Sequence, residues 1–282
     1  MENNYKEIFE KSVTGILEYM KNGRLESMVL GISGGIDSTV CAAICYEVAR
    51  RNNSLKFYGV SLPCSTNTTG ETGTADLVGK AFFEEDCFWV RSIQQEYEAI
   101  EKMTSEQVES TPISRGNIKA RLRMIYLRNL AGLKKGVMID TDNMTENLTG
   151  FFTIAGDQGD LSPIAQLWKH EVYELAEWIK GYFSEDPDKV KALENSMALT
   201  PTDGNGVKEG GDLAQIAPAL STYNQLDEIL EAEMKYRENE DNFEGVKKMA
   251  EKYGDEVLGQ IMTRVNRTAY KRKKLPVIVP LR

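Results

Sequence analysis

Short apolar segments that alternate with helical patterns limit the fold of this chain more than any other feature of its sequence. Each segment is three to five residues long and contains no charged residue. Strands of this kind, buried on both faces, are typical of a parallel sheet that helices cover on each side. The predicted strands are residues 28–32, 57–60, 87–90 and 137–139.

Helical periodicity between these segments completes the prediction of an α/β fold. Residues 5–20 repeat apolar side chains at helical spacing from Ile8 to Leu17, as an amphipathic helix does. We therefore expect a doubly wound, mostly parallel sheet flanked by helices, with a helical C-terminal part. The other predicted helices are residues 39–50, 74–83, 93–102, 117–133 and 169–180, with more between residues 223 and 270.

The predicted sheet also indicates where a ligand would bind. In open α/β sheets, ligands lie beyond the carboxyl ends of the strands, near the point where the strand order reverses. We therefore expect functional residues directly after Ile32, Val60, Val90 and Ile139.

The length of 282 residues fits one α/β domain, and the lack of repeats or low-complexity linkers favours a single domain, residues 1–282. The polar start and the short apolar stretches predict a cytoplasmic protein with no membrane partner.

Residues 149–163 are expected to form a loop rich in Gly and Asp. Residues 199–211, with Gly204, Gly206, Gly210 and Gly211, are predicted to be a mobile loop or lid.

Charge and rare residue types exclude several classes of function. The net charge of −9, from 34 basic and 43 acidic residues, disfavours a nucleic-acid partner but not a small phosphorylated ligand. His170 is the single histidine, so His-rich metal sites are excluded. The four cysteines form no Cys-x-x-Cys pair, and Cys41 and Cys45 are expected to pack as small apolar residues in a helix.

A glycine-rich turn follows the first predicted strand and leads into a helix. Its two glycines allow a sharp turn and close approach to a ligand, and a helix N-terminus binds anions. The hydroxyl groups suit phosphate oxygens, whereas a carboxylate beside phosphate requires a cation between them, so Asp37 points to Mg²⁺. The segment reads Ser33-Gly34-Gly35-Ile36-Asp37-Ser38-Thr39.

Other interpretations of this turn fit less well. The segment lacks the Gly-Lys-Ser/Thr ending of a Walker A loop and the spacing of the Gly-x-Gly-x-x-Gly fingerprint. A simple β–α turn with Asp37 or Ser38 capping the helix remains the alternative, although its position after the first strand favours a phosphate site.

Acidic residues accumulate after the fourth predicted strand. Carboxylates that converge beside a phosphate loop are expected to hold a divalent cation. Glu146 could instead form a capping box with Asn143, and Asp157 and Asp160 could serve as turn residues. The acids are Asp140, Asp142, Glu146, Asp157 and Asp160.

The glycine-rich segment resembles the Ser-Gly-Gly-x-Asp-Ser loop of the ATP pyrophosphatases, which cleave ATP between its α and β phosphates. Four further segments, in this order and spacing, make the chain similar to the NAD synthetases of that superfamily from Gly31 to Lys271. They are residues 117–124, 140–146, 149–153 and 156–160. The resemblance implies an adenine nucleotide alpha hydrolase-like fold.

The resemblance also implies a reaction. ATP adenylates the nicotinate carboxylate of deamido-NAD, and ammonia then displaces AMP to give NAD, with Mg²⁺ as cofactor and a homodimer as the usual assembly. The chain has no room for a glutamine-hydrolysing domain, so we expect it to use free ammonia or ammonia from a separate protein. Another adenylating member of the superfamily, such as a tRNA-modifying enzyme, and a non-catalytic nucleotide-binding module remain as alternatives.

Residue roles follow from the resemblance only where residues match. Asp37 and Lys169 would be catalytic, Asp37 and Glu146 would hold Mg²⁺, and Arg121, Asp160 and Lys271 would bind deamido-NAD. The expected ATP-binding residues are Gly31, Ile32, Ser33, Gly34, Gly35, Ile36, Asp37, Ser38, Thr141, Lys169 and Thr202. The chain departs from the family pattern at Ser61, Asn143, Ile154 and Tyr270, which affects the expected substrate contacts. Taken without the resemblance, Arg121, Lys169 and Lys271 could be ordinary surface charges.

Overall fold

A parallel β-sheet forms the centre of the molecule. The computed structural model describes residues 4–202 and 211–273. Within these residues the strands pair in the order β3-β2-β1-β4, all parallel. This confirms the predicted doubly wound sheet. The strands are β1 (Ser27–Gly31), β2 (Lys56–Ser61), β3 (Phe88–Val90) and β4 (Gly136–Met138).

Helices connect the strands and continue after the last one. Three of them begin earlier than predicted, at Ile36, Thr69 and Pro112, and the helices that begin at Pro187 and at Gly211 were not predicted. Residues 149–163 contain no helix beyond Thr149, as expected for a loop. The helices are α1 (Tyr5–Gly23), α2 (Ile36–Arg51), α3 (Thr69–Phe82), α4 (Gln94–Ser105), α5 (Pro112–Leu133), α6 (Met144–Thr149), α7 (Lys169–Tyr182), α8 (Pro187–Ala198), α9 (Gly211–Ile216), α10 (Tyr223–Glu238), α11 (Phe243–Tyr253) and α12 (Asp255–Arg267).

The central strand shows why the sheet is covered on both faces. Met28 and Leu30 pack in one apolar cluster with α1, α2, α3, α7 and α8. Val29, which points the other way, packs in a second cluster with residues of α5 such as Leu127. Because both faces of β1 are buried, its sequence is continuously apolar rather than alternating.

The C-terminal helices form a third apolar cluster, which joins α10 and α12 to Trp168 beside the start of α7. This cluster places the helical C-terminal part next to the loops that follow β4. Cys41 and Cys45 are buried in α2 without a disulfide, as expected. None of the helices in residues 4–202 and 211–273 combines the length and the apolar character needed to cross a bilayer.

The strand order reverses at β1, because the chain proceeds outward from β1 to β3 and then returns to place β4 on the other side. The carboxyl ends of β1 and β4 therefore diverge into loops on either side of a crevice. The predicted lid, residues 199–211, lies largely outside the described residues.

Candidate functional site

The glycine-rich turn joins β1 to α2 and depends on Gly34. Gly34 has φ +88°, and a Cβ atom built there would lie 2.3 Å from the backbone oxygen of Glu71. The Gly35 N–H donates to Ser33 Oγ at 3.1 Å, and Ser38 Oγ donates to the Gly35 carbonyl at 3.0 Å. The turn therefore leads into the N-terminus of a 16-residue helix with hydroxyl groups beside it, as an anion site requires.

The helix begins three residues before the predicted start, so Asp37 lies in the first turn of α2 rather than in the loop. There it meets Lys169, the first residue of α7, whose Nζ donates to Asp37 Oδ2. The same Nζ donates to Glu146 Oε1 at 3.1 Å. Three residues from three distant parts of the chain thus form one cluster, the Asp37–Lys169–Glu146 cluster.

Asn143 completes this cluster and combines two roles. Its side-chain amide donates to Asp37 Oδ1 at 2.9 Å. Its side-chain oxygen accepts the Glu146 N–H at 3.0 Å, and the Glu146 carboxylate accepts the Asn143 N–H at 3.3 Å. The alternative of a capping box is therefore present, and it orients Glu146 toward Lys169 rather than competing with a role in the site.

Burial and charge alter the acid–base properties of this cluster. The Lys169 side chain is 2% exposed. Burial opposes its charge, yet the carboxylates of Asp37 and Glu146 raise the pKa of Lys169 well above its ordinary value. Burial raises the pKa of Glu146 to about 7 against the opposing effect of the Lys169 ammonium. Lys169 therefore stays charged and neutralises part of the acidity beside the turn.

The cluster and the turn line a cavity of about 960 Å³, at the upper end of the size of small-molecule sites. On the β2 side the wall includes Ser61, Leu62 and Leu127. On the β4 side it includes the basic residues Arg264 and Lys271. The cavity therefore offers an apolar region and a basic region on the two sides of the β1 turn.

Two further acids from the loops after β4 lie in the cavity. Asp157 accepts the Thr153 N–H at 2.8 Å, and burial raises the pKa of Asp157 to about 6. Burial, and then the carboxylate of Asp140, raise the pKa of Asp142 well above its ordinary value. The predicted turn role of Asp157 is therefore present, and its carboxyl group also faces the cavity.

Most of the predicted site residues line this one cavity. Thr141 does so from the loop after β4 and Glu146 from α6, and Thr202 and Lys271 do so while contacting protein groups. Thr202 donates to Glu71, and Lys271 Nζ donates to the backbone oxygens of Gly150, at 2.8 Å, and Phe152. The remaining predicted residues that line it are Gly31, Ile32, Ser33, Gly35, Ile36, Asp37, Ser38 and Lys169.

Arg121 and Asp160 are placed elsewhere. Arg121 is exposed on α5 and is not part of the cavity wall. Asp160 pairs with Arg128 and accepts the Met138 N–H at 3.0 Å, beside the end of β4. Within one chain, neither residue approaches the Asp37–Lys169–Glu146 cluster through the cavity.

Arg123 lines the cavity although it was not among the predicted site residues. Its Nε donates to the Leu62 carbonyl at 3.1 Å, and its second terminal nitrogen donates to Asn67 Oδ1 at 3.2 Å. Arg121 and Arg123 lie two positions apart on α5, so they point to different sides of the helix. The helical period predicts that the two differ, but only the packing of α5 decides which one faces inward.

Parallel α/β proteins that bind a ligand at this edge of the sheet commonly bind nucleotides. Here the α2 N-terminus and its hydroxyl groups can accept a phosphate chain, and Lys169 can donate to the phosphate oxygens. The fold and the site therefore define an α/β nucleotide-binding protein.

The comparisons with known proteins specify the class further. The chain belongs to the NAD synthase family, whose sequence model matches residues 8–275, and this confirms the family resemblance described above. An NH3-dependent NAD+ synthetase from Streptococcus suis is 31% identical over 242 residues, which cover 80% of each chain.

Two solved structures have the same fold over nearly the whole chain. The structure of an NMN synthetase from Francisella tularensis has a TM-score of 0.77 at 26% identity, covering 99% of this chain and 100% of that one. An NH3-dependent NAD synthetase from Campylobacter jejuni, in complex with the nitrate ion, has a TM-score of 0.74 at 25% identity with the same coverage.

Proposed function

We propose that this protein makes NAD from deamido-NAD, ammonia and ATP, with release of AMP and pyrophosphate. The observation that carries the proposal is the contact between Lys169 and the carboxylates of Asp37 and Glu146, directly beside the α2 N-terminus. This arrangement can bind a phosphate chain and a cation at one point. We infer the acceptor, deamido-NAD, from the relatives that are named NAD synthetases.

The proposed reaction has two bond exchanges. A carboxylate oxygen of deamido-NAD forms a bond to the α-phosphorus of ATP, and the bond between the α-phosphorus and the bridging oxygen breaks, so that pyrophosphate leaves. The nitrogen of ammonia then bonds to the acyl carbon, AMP leaves with the electron pair of the acyl–oxygen bond, and the nitrogen loses a proton. No protein nucleophile is required.

In this scheme the protein positions the reactants and neutralises charge. The backbone N–H groups at the start of α2, with Ser33 and Ser38, bind the phosphates, and the Lys169 ammonium donates to oxygens on which negative charge accumulates. Thr141 and Thr202 contact ATP from the β4 loop and from the segment after α8. Arg123 supports the β2 side of the nucleotide site through Leu62.

The residues present fit Mg²⁺. Asp37 and Glu146 both lie within hydrogen-bonding distance of the single Nζ of Lys169, so their oxygens converge on a small region at the cavity wall. Mg²⁺ is commonly held by one or two carboxylates together with substrate phosphates and water. When bound, the cation would neutralise phosphate charge, and Asp37 and Glu146 would hold it.

The acceptor would bind on the β4 side. Lys271 and Arg264 provide positive charge there for the phosphates of deamido-NAD. Arg121 and Asp160 do not line this cavity, so we propose that they act in a homodimer, in which a second copy brings them to the acceptor site. We further propose that the chain forms one domain. We also propose a cytoplasmic enzyme, because all four cysteines are unlinked thiols.

One assay tests the proposal. Purified protein is given ATP, Mg²⁺, ammonium and deamido-NAD, and NAD, AMP and pyrophosphate are quantified. We expect Asp37→Asn to lower kcat at least about 100-fold because it removes a carboxylate that would hold the cation beside the phosphates, whereas Asp76→Asn, on an exposed part of α3, leaves kcat unchanged. Absence of ammonium-dependent NAD from the unmodified protein would refute the proposal.

A second candidate acceptor is the mononucleotide that corresponds to the nicotinate half of deamido-NAD. The high structural similarity to the protein named NMN synthetase favours it, as does the placement of Arg121 and Asp160 outside the cavity of one chain. The chemistry of the acyl group would be the same. A comparison of kcat/KM for the two acceptors in the same assay decides between them.

A further inference from the structure

The Asp227 carboxylate is buried away from the cavity, yet it bonds to α6 and α7, two of the three helices that carry the Asp37–Lys169–Glu146 cluster. Asp227 lies on α10 and its side chain is 0% exposed. Its Oδ1 accepts the Thr145 hydroxyl at 2.5 Å. Its Oδ2 accepts the backbone N–H of His170 at 3.0 Å and lies 2.9 Å from His170 Nδ1.

Thr145 continues this network to Lys169. Its hydroxyl oxygen accepts the backbone N–H of Lys169 at 2.9 Å, while its own hydroxyl proton goes to Asp227. Thr145 is completely buried and directly precedes Glu146 in α6. One carboxylate therefore fixes the start of α7 relative to α6.

The start of α7 needs such external partners. The first N–H groups of a helix have no partner within it, and Ser, Thr, Asp or Asn usually caps them. The residue at this position is Trp168, whose side chain makes no capping hydrogen bond. Thr145 and Asp227 bind the first two N–H groups of α7 instead, and the negative charge of Asp227 suits a helix N-terminus.

We propose that Asp227 is a positioning residue for the reaction, acting through Thr145 to hold Lys169 and Glu146 at the correct separation from Asp37. The inference rests on the proposed function, since it assigns the cluster to ATP binding and adenylation. Lys169 is the first residue of α7, so a shift of this helix end moves its side chain directly. A displacement of about 1 Å at a reacting centre costs on the order of 100-fold in rate.

Isosteric variants test the proposal. Asp227→Asn keeps the size of the side chain but replaces one acceptor oxygen with an amide donor, and Thr145→Val removes the hydroxyl that links Asp227 to Lys169. For both we expect about a tenfold loss in affinity for ATP with Mg²⁺ and a loss of about 10- to 100-fold in kcat. The KM for the acceptor should stay within about twofold of the wild-type value. Thr145→Ser, which keeps the hydroxyl group, should have wild-type kcat and ATP affinity.

A matched control separates positioning from a loss of stability. Glu47→Gln removes an equally buried carboxylate that bonds Arg50 and Arg51 on α2, so it should lower Tm while leaving kcat and ATP affinity unchanged. If Asp227→Asn also lowers only Tm, or if the KM values for ATP and acceptor rise together, the proposal is wrong.

A double-mutant cycle provides a second criterion. In a Lys169→Met background, Asp227→Asn should cause a smaller further loss in ATP affinity than in the wild type, because Lys169, one of the two groups that it positions, is absent. Equal losses in both backgrounds would overturn the proposal. ATP affinity is measured by titration calorimetry without acceptor or ammonium, so this result is independent of whether the unmodified protein forms NAD.

Discussion

At the scale of single residues, Gly34 is required by both the conformation and the surroundings of the β1–α2 turn. We expect Gly34→Ala to lower the free energy of unfolding by about 2–4 kcal/mol, because the residue has a positive φ and the new Cβ would collide with the α3 backbone at Glu71. Gly35→Ala is the control. Gly35 has φ −71° and its nearest neighbour would be Ser33 Oγ at 3.3 Å, so its effect should stay within about 1 kcal/mol. Urea denaturation measures both values, and equal losses would contradict this account.

Residue chemistry in one segment predicts much of the site, but contacts between distant segments do not follow from it. The hydroxyl and glycine pattern from Ser33 to Ser38 correctly indicates a turn at a helix N-terminus, because the pattern is local. Asp227 gives no such signal, since its partners Thr145 and His170 are brought to it by the packing of three helices. Both Arg121 and Arg123 are arginines on α5, and only the packing of that helix decides that Arg123 is the one that faces the cavity.

At the scale of elements, the strands were the most predictable part. Each lies within one or two residues of its predicted bounds, because burial on both faces leaves a continuous apolar run in the sequence. Helix starts were less predictable. The start of α2 was expected at Thr39 but falls at Ile36, because its N-cap is Gly35, which makes no side-chain capping hydrogen bond. The start of α7 at Lys169 was predicted correctly, but its capping by groups from α6 and α10 was not.

The junction of α7 with α10 predicts a pH dependence of stability. The hydrogen bond to Asp227 raises the pKa of His170 above its ordinary value of 6.5. The folded protein thus binds this proton more tightly than the unfolded chain does. The His170–Asp227 pair therefore contributes fully to the free energy of unfolding below pH 6.5, and this contribution is lost as the pH rises through the raised pKa. The wild type should exceed His170→Gln in free energy of unfolding by on the order of 1 kcal/mol near pH 6. Denaturation at several pH values should show this difference shrinking toward alkaline pH, and a difference that is constant or grows would refute the assignment.

At the scale of the whole molecule, the main question is how Arg121 and Asp160, which do not line the cavity of one chain, could act at the acceptor site. The family match and the shared fold over nearly the whole chain make a common site reasonable. Yet Arg121 is exposed on α5 and does not line the cavity, which is why we propose that a second copy uses it at an acceptor site. The sequence alone could not decide whether Arg121 acts in its own chain or in a second copy. It predicts that Arg121 is on a helix, but not which molecule that helix faces.

Mixing two variants tests the homodimer and the role of Arg121 together. Lys169→Met removes the buried ammonium from one chain's site, and Arg121→Ala removes the exposed arginine, so we expect each homodimer alone to have little activity. In a mixed dimer with a two-fold interface, one site would combine Lys169 of one chain with Arg121 of the other. Random mixing of equal amounts should then restore about a quarter of wild-type activity, since half of the dimers are mixed and each has one intact site. Sedimentation should give twice the mass of one chain. No recovery in a mixture that sediments as dimers would show that Arg121 does not act across the interface, and full activity of Arg121→Ala alone would place Arg121 outside the acceptor site. Monomers throughout would refute the homodimer itself.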